Sequence, residues 1–226
     1  MTIMPSPGFN LIYGKNSSGK TSLLEAVYLL GRAKTFRSTS IAPIIQNQAD
    51  ECVIFAELNE NNSLGFSRSK SGDQKIRVTG GKTANSADLA KILPLQLLNT
   101  DTLKILEGGP SARRGFLDWG VFHVEQSFIS HWRQAQKALL NRNSLLKNNH
   151  INPAELSPWT LEFCRHAEKV DHYRKDYANE LEERLAETLK VLMPLENFTL
   201  TYDRGWDQGQ KLEEILSRNL KKDIKY

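Results

Sequence analysis

"GFNLIYGKNSSGKTSLLEAVYLLG", Gly8 to Gly31, is the stretch whose reading decides the fold. Phe9 to Tyr13 is a short apolar run and predicts a buried strand. A loop of small residues follows, and Lys20-Thr21 opens an amphipathic helix with Leu23, Leu24, Ala26, Val27 and Leu30 on one face. Gly31 is the predicted stop. Inside the stretch, Gly14-Lys15-Asn16-Ser17-Ser18-Gly19-Lys20-Thr21 satisfies G-x-x-x-x-G-K-[ST]. Each position has a physical task. The glycines let the backbone turn tightly, so that successive N–H groups face the α- and β-phosphates of a nucleotide. Lys20 supplies a point charge to the β/γ oxygens, Thr21 offers a hydroxyl to Mg²⁺, and the helix adds its positive N-terminal end. A strand before and a helix after are the context this motif requires. The candidate nucleotide-binding residues are therefore Gly14, Lys15, Asn16, Ser17, Ser18, Gly19, Lys20, Thr21 and Ser22, with ATP and Mg²⁺ as cofactors and Thr21 as the metal contact.

Holding a nucleotide is less than hydrolysing it. Hydrolysis needs a second apolar strand ending in an acid for Mg²⁺, and a polar group to align water. "VIFAELNE" offers Glu57, but alternates as a half-exposed strand. "LQLLNTD" reaches Asp101 only after two polar residues. No catalytic residue is assigned within this chain.

The rest of the chain bounds the possibilities. Its 226 residues are 39% hydrophobic and 25% charged, which suits one or two globular domains. No run approaches the ~20 apolar residues of a membrane span, and "MTIMPSPG" lacks the basic and apolar regions of a signal peptide. Cys52 and Cys164 make no metal spacing and read as reduced cytosolic thiols. The formal charge of +4 is uneven. Residues 1–100 hold 11 Lys+Arg against 7 Asp+Glu, whereas 101–226 hold 19 of each. The surplus sits with the phosphate loop and permits a polyanionic partner.

Between Cys52 and Val78 the texture is β-rich, broken by Asn-Asn and Ser-Gly-Asp, and predicts an antiparallel meander. A short helix at Ser86–Lys91 and a buried strand at Ile92–Asn99 are expected next. Beyond Gly108-Gly109-Pro110 the pattern turns helical. Phe128, Trp132, Ala135, Leu139 and Leu146 share a face of a helix ending near Asn148-Asn149. Ser157-Pro158 reads as N-cap and first residue of a helix that runs to Met193 before Pro194, about 54 Å if continuous. Its aromatic stripe reads as packing between two long helices. "FTLTYDRGW" returns to strand character.

Together these segments resemble one family. "PGFNLIYGKNSSGKTSLLEAVYLLG", "AKTFRSTSIAPII", "GGPSARRGFLDWGVFH", "WRQAQKALLNRNSLL" and "YDRGW" match, in order and spacing, the RecF family of bacterial DNA repair proteins. The resemblance covers about Pro7 to Tyr226, and Arg113 to Asp118 is its most specific element. It implies an α/β fold: a P-loop, ABC-ATPase-like lobe, with a mixed sheet plus the antiparallel meander, and an inserted helical second lobe. The implied lobes are 1–109 for ATP, 110–196 for the helices, and 197–226 for the start of a return. It also implies a weak DNA-dependent ATPase acting in recombinational repair, replication and the SOS response. RecO and RecR are the implied partners, with assistance to RecA loading at single-stranded gaps. Single-stranded and gapped DNA bound without sequence preference, an ATP-dependent homodimer and a cytoplasmic location follow from the same likeness.

Arg37, in "TFRS", occupies a position near phosphates or DNA by this match, and Arg113/Arg114 an element whose role is structural. The resemblance further implies truncation at both ends, because the Leu-Ser-x-Gly-Gln signature and the acidic strand of the family are not in this sequence. "LSRNL", Leu216 to Leu220, lacks the Gly-Gln and is read as a decoy. The competing function is therefore a nucleotide-gated binding module without hydrolysis. A Rad50-type structural ATPase would need heptads sustained far longer than this helical stretch. For DNA, "FSRSKSGDQKIRVTGGK" supplies Lys70, Lys75 and Arg77, with Arg32, Lys34 and Arg37 as the competing patch.

Overall fold

The computed structural model describes residues 2–38, 42–59, 62–147, 152–193 and 198–223. They form two compact units, Met1–Leu98 and Asn99–Tyr226.

In the first unit the predicted meander is present. Strands β1 (Glu51–Asn59), β2 (Asn62–Ser69), β3 (Gln74–Val78) and β4 (Lys82–Thr83) pair antiparallel in that order. Two rows of cross-strand partners, Ile54–Phe66–Ile76 and Ala56–Leu64–Val78, face inward. Helix α1 (Lys20–Arg32) and helix α2 (Ser86–Ile92) pack with them, and Leu29, Leu30, Ala33, Leu64, Phe66, Ile76 and Leu89 make one dry cluster. Asn85 and Asp88 close a capping box at the start of α2, which fixes where that helix begins. Gly31 sits where α1 meets the chain beyond α2. A Cβ there would lie 2.5 Å from Leu95 Cδ1 and 2.9 Å from the Leu93 carbonyl oxygen.

The face of α1 differs from its apolar pattern. Glu25, Leu29, Leu30 and Gly31 are buried, while Leu24 and Val27 are exposed. The meander packs against Leu29 and Leu30, Gly31 meets Leu93 and Leu95, and Glu25 meets Thr35 and Arg37. Phe9–Tyr13 and Ile92–Asn99, both expected as strands, are irregular beyond the end of α2, and Phe9, Leu11 and Tyr13 are exposed. A strand exists through its ladder. Among the described residues neither segment has a neighbouring strand, so the described sheet is the antiparallel meander alone.

The second unit is helical, with α3 (Lys104–Glu107), α4 (Pro110–Val124), α5 (Phe128–Leu146), α6 (Pro153–Leu192) and α7 (Leu212–Asp223). α5 lies along α6 and buries Phe128, Ala135, Ala138 and Leu146. α5 ends at Leu146, the expected Asn148-Asn149 lying outside the described residues, and α6 ends at Leu192, one residue short of the expected Met193. Helix α6 begins five residues earlier than Pro158. Asn152 accepts the Ala154 N–H at 3.0 Å and Pro153 takes the first turn, an equivalent cap-and-proline pair placed upstream. Pro158 is then inside the helix, where its missing N–H leaves the Ala154 carbonyl without its helical donor.

Residues 198–206, expected as a strand, are irregular, because side chains of α6 take over their polar groups. Glu182 accepts the Leu200 N–H at 3.0 Å, and Asp171 binds the Tyr202 hydroxyl and Arg204, each at 2.9 Å. Burial, then the bond to Asp171, pushes the Tyr202 phenol far up. The 198–223 segment thus packs within the helical unit. "LSRNL" is an ordinary stretch of α7. Among the described residues no helix is long and apolar enough to cross a membrane.

Candidate functional site

The phosphate-loop segment is built by backbone conformation. Gly14 (φ 152°) and Gly19 (φ 89°) take the positive φ that glycine alone adopts without strain, and Ser17 joins them at φ 64°. A Cβ at Gly14 would stand 3.0 Å from Ser18 Oγ. The Ser18 N–H closes the turn onto the Lys15 carbonyl at 3.3 Å. Gly19 is the N-cap of α1, with no side chain capping the helix and no acid in its first turn. Such an end presents open N–H groups and uncompensated positive potential, which is the donor set a phosphate requires. Lys20 folds over the loop, its Nζ donating to the carbonyls of Gly14 at 2.9 Å and Lys15 at 2.7 Å. Its charge is therefore centred on the loop. Thr21 and Ser22 follow in the exposed first turn of α1. These residues fit ATP and, through Thr21, Mg²⁺.

One turn further along α1 lies a group that sequence reasoning missed. Glu25 is 3% exposed. It accepts the Thr35 hydroxyl and faces Arg37 Nη1 at 3.8 Å. Tyr28 meets Phe36 edge-on, with ring centroids 5.4 Å apart. The signal available was an acid four residues after Thr21, which shares its helical stripe. It lay hidden because the apolar pattern pointed to the neighbouring face.

Glu57 is exposed near the end of β1, and Asp101, in the second unit, pairs with Lys104 at 2.6 Å.

The DNA candidates divide. Lys75 and Arg77 share the outer face of the meander, opposite Ser67 and Gly65 in the register. Arg77 Nη1 donates to the Gly81 carbonyl at 2.8 Å and Thr83 Oγ1 at 3.2 Å. The same face carries exposed Val53 and Phe55, with Glu51 and Glu57 at its margins. Lys70 is tied to the Asn47 carbonyl at 2.9 Å. Arg32 is hydrogen-bonded to Tyr28, and burial lowers its pKa against that bond.

In the helical unit, Arg113 Nη1 caps the Gly108 carbonyl at 2.8 Å. Asp118 of the same sequence element takes a bidentate pair from Arg174 on α6, at 2.7 and 2.9 Å.

The family model described as the RecF/RecN/SMC N terminal domain matches residues 1–218. The DNA replication and repair protein RecF of Pseudomonas putida (strain W619) is 46% identical over 227 residues, covering 99% of this chain and 62% of its own length. The RecF protein of Azotobacter vinelandii is 44% identical with the same coverage. The chain thus spans about 62% of the length of the curated relatives it matches. Among solved structures, the recombination mediator protein RecF-ATP of the RecFOR pathway superposes with a TM-score of 0.78 at 22% identity, over 96% of this chain and 62% of that one. At that identity the likeness establishes the fold alone, a P-loop ABC-ATPase-type lobe with a helical one.

Proposed function

The chain belongs to the RecF/RecN/SMC N-terminal domain family, and from that premise we propose that it binds ATP as part of a RecF-like DNA repair and replication factor. One observation carries the nucleotide half: the Gly14–Thr21 loop opens onto a helix end with neither a capping side chain nor an acid. In this reading the loop N–H groups receive the α- and β-phosphates. Lys20 exchanges the carbonyls of Gly14 and Lys15 for β/γ oxygens, and Asn16, Ser17, Ser18 and Ser22 line the turn. The Thr21 hydroxyl holds Mg²⁺, which when bound neutralises phosphate charge. Titration of a fluorescent ATP analogue with Mg²⁺ tests this. Lys20→Ala is expected to weaken binding by at least about tenfold, since a charge-assisted contact is removed. Equal affinity would overturn the assignment.

The relatives named as DNA replication and repair proteins support the other half. The proposed partner is single-stranded or gapped DNA, bound through phosphates without base readout, with Lys70, Lys75, Arg77 and Arg37 as contacts. RecR and RecO, assistance to RecA loading, an ATP-dependent homodimer and a cytoplasmic setting belong to the same proposal for the whole protein. Charge reversal at Lys70, Lys75 and Arg77 should lower DNA affinity and flatten its dependence on salt, by a slope of about one per lost phosphate contact. An unchanged slope would exclude that patch.

A second reading, nucleotide-gated binding without hydrolysis by this chain, is favoured by the surroundings of the two candidate acids. Glu57 is exposed and Asp101 is paired with Lys104. Phosphate release measured with saturating ATP and DNA separates the two: turnover supports the ATPase, and binding without turnover supports the module.

A further inference from the structure

The meander turns one side to the dry cluster, and its outer side departs from an ordinary polar sheet face. A sheet with one solvated face alternates apolar-in and polar-out. Val53 and Phe55 break that rule: they are 66% and 64% exposed, and neither belongs to the dry cluster. The register sets what lies beside them. Val53 stands opposite Ser67 and then Lys75, and Phe55 opposite Gly65, then Arg77, then Thr83. Across the strands the face is therefore apolar on β1, small and neutral on β2, and cationic on β3. Glu51 and Glu57 close the two ends of the β1 row.

Gly65 is the second departure. Its backbone is not left-handed, and a Cβ there would meet Arg77 Cβ at 3.5 Å, an ordinary van der Waals contact. The ladder passes through it without a bulge, from Ala56–Leu64–Val78 to Ile54–Phe66–Ile76. Neither conformation nor packing asks for glycine, and glycine weakens a strand interior. In a regular strand such a glycine marks a place where another group approaches the backbone closely. Here the missing side chain leaves a bare floor between Phe55 and Arg77. Arg77 is held beside that floor by the Gly81 carbonyl and Thr83 Oγ1. A pocket lined by Lys75, Arg77, Thr83 and Ser86 continues the polar side.

We propose that this face is a stacking platform for single-stranded DNA, in which a base lies over Gly65 against the Phe55 ring while Lys75 and Arg77 hold phosphates. This rests on the DNA reading of Lys75 and Arg77 and adds a selector to it. Phosphate contacts hold single and double strands alike. A base can lie on an aromatic ring only outside the helical stack, so a duplex must first unstack. Strands β1 and β3 are about 10 Å apart, a span that a nucleotide covers from phosphate to base. Glu51 and Glu57 repel phosphates from the β1 side, so the DNA backbone runs along β3 and its bases point toward β1. Stacking accepts any base, which keeps the binding free of sequence preference.

Three fluorescein-labelled probes of equal length test this: a single strand, an abasic strand that keeps the sugars and phosphates, and a blunt duplex. Each is titrated at several salt concentrations into the full chain and its Phe55→Ala, Phe55→Trp, Gly65→Val and Lys75→Glu/Arg77→Glu variants. A thermal midpoint is recorded for each. Phe55→Ala removes an exposed side chain, so its midpoint should match wild type. It should weaken the single strand about tenfold, the loss of one base–aromatic stack. Its affinity for the abasic strand and the duplex should not change, nor should the salt slope, because no phosphate contact is lost. Phe55→Trp should bind the single strand as wild type does. Gly65→Val fills the floor with a good strand former and should lower single-strand affinity as Phe55→Ala does. If Gly65→Val does not fold, the Phe55 pair decides. Lys75→Glu/Arg77→Glu should weaken all three probes and flatten the salt slope.

Unchanged single-strand affinity in Phe55→Ala would overturn the platform, as would an equal loss on the abasic strand or the duplex. Loss of self-association in Phe55→Ala, seen by sedimentation with DNA affinity intact, would give the face to a second copy of the chain and overturn it too. Failure of the DNA reading looks different: no probe bound by the wild-type chain, or Lys75→Glu/Arg77→Glu binding all three as wild type, removes both.

Discussion

At Gly31 one hydrogen atom separates a packed α1 from an overpacked one. Gly31→Ala places a methyl group against Leu95 Cδ1 and the Leu93 carbonyl, so backbone must move. A stability loss of about 1–3 kcal/mol is expected from chemical denaturation, the usual range for overpacking. The sequence offers Gly31 as a helix stop, but the structure gives it a different task, because close approach to a distant segment has no local signature. His131 supplies a second residue-scale test. Its Nδ1 lies 2.8 Å from Nδ1 of His166, whose Nε2 in turn faces Glu162 at 3.1 Å. Burial first, then His166, Lys169 and Arg165, lower the His131 pKa below its ordinary 6.5, against an opposing pull from Glu125. The native state thus binds its proton less readily than the unfolded chain does. Stability is full above about pH 6.5 and falls as pH drops below it. His131→Gln should flatten that acid limb in melting curves compared at pH 7.5 and pH 5.5, and an unchanged limb would clear His131 of the effect.

Among the elements, α4 and α6 are joined by Asp118 and Arg174, both about one-fifth exposed and bidentate. Arg174 keeps its charge more firmly than usual: burial opposes it, but the Asp118 bonds outweigh burial. Asp118→Asn should cost about 1.5–3 kcal/mol, the range for hydrogen bonds to charged groups, read from the thermal midpoint. The sequence singled out residues 113–118 by their resemblance, and the structure gives Asp118 a structural part. The meander, α2 and the phosphate loop were legible because period, cap and turn chemistry are local. The buried face of α1 was not: both stripes of that helix are apolar enough to serve, and the one that β1 and β2 cover is decided by packing. The start of α6 was misread for a related reason, since Asn152-Pro153 and Ser157-Pro158 are equally good caps and only the first is used.

For the whole molecule, Trp119, Trp132, Trp159 and Trp206 all belong to the helical unit, which accounts for every tryptophan in the chain. Tryptophan fluorescence should therefore report Asp118→Asn strongly and Gly31→Ala weakly, whereas far-ultraviolet circular dichroism sees both. The two substitutions lie in different cores, and their costs should add to within about 0.5 kcal/mol. A large coupling energy would contradict two separate cores. The sequence by itself determined the phosphate loop, the meander, the long helices and the family, because each is written in short-range spacing that any fold must respect. Tertiary structure alone decided which face of α1 is buried and whether Phe9–Tyr13 and Ile92–Asn99 are strands. It also decided that Glu25, an unremarked acid, closes on Thr35 and Arg37. A ladder, a buried face and a paired carboxylate each need a partner from elsewhere in the chain, and partners are chosen by packing.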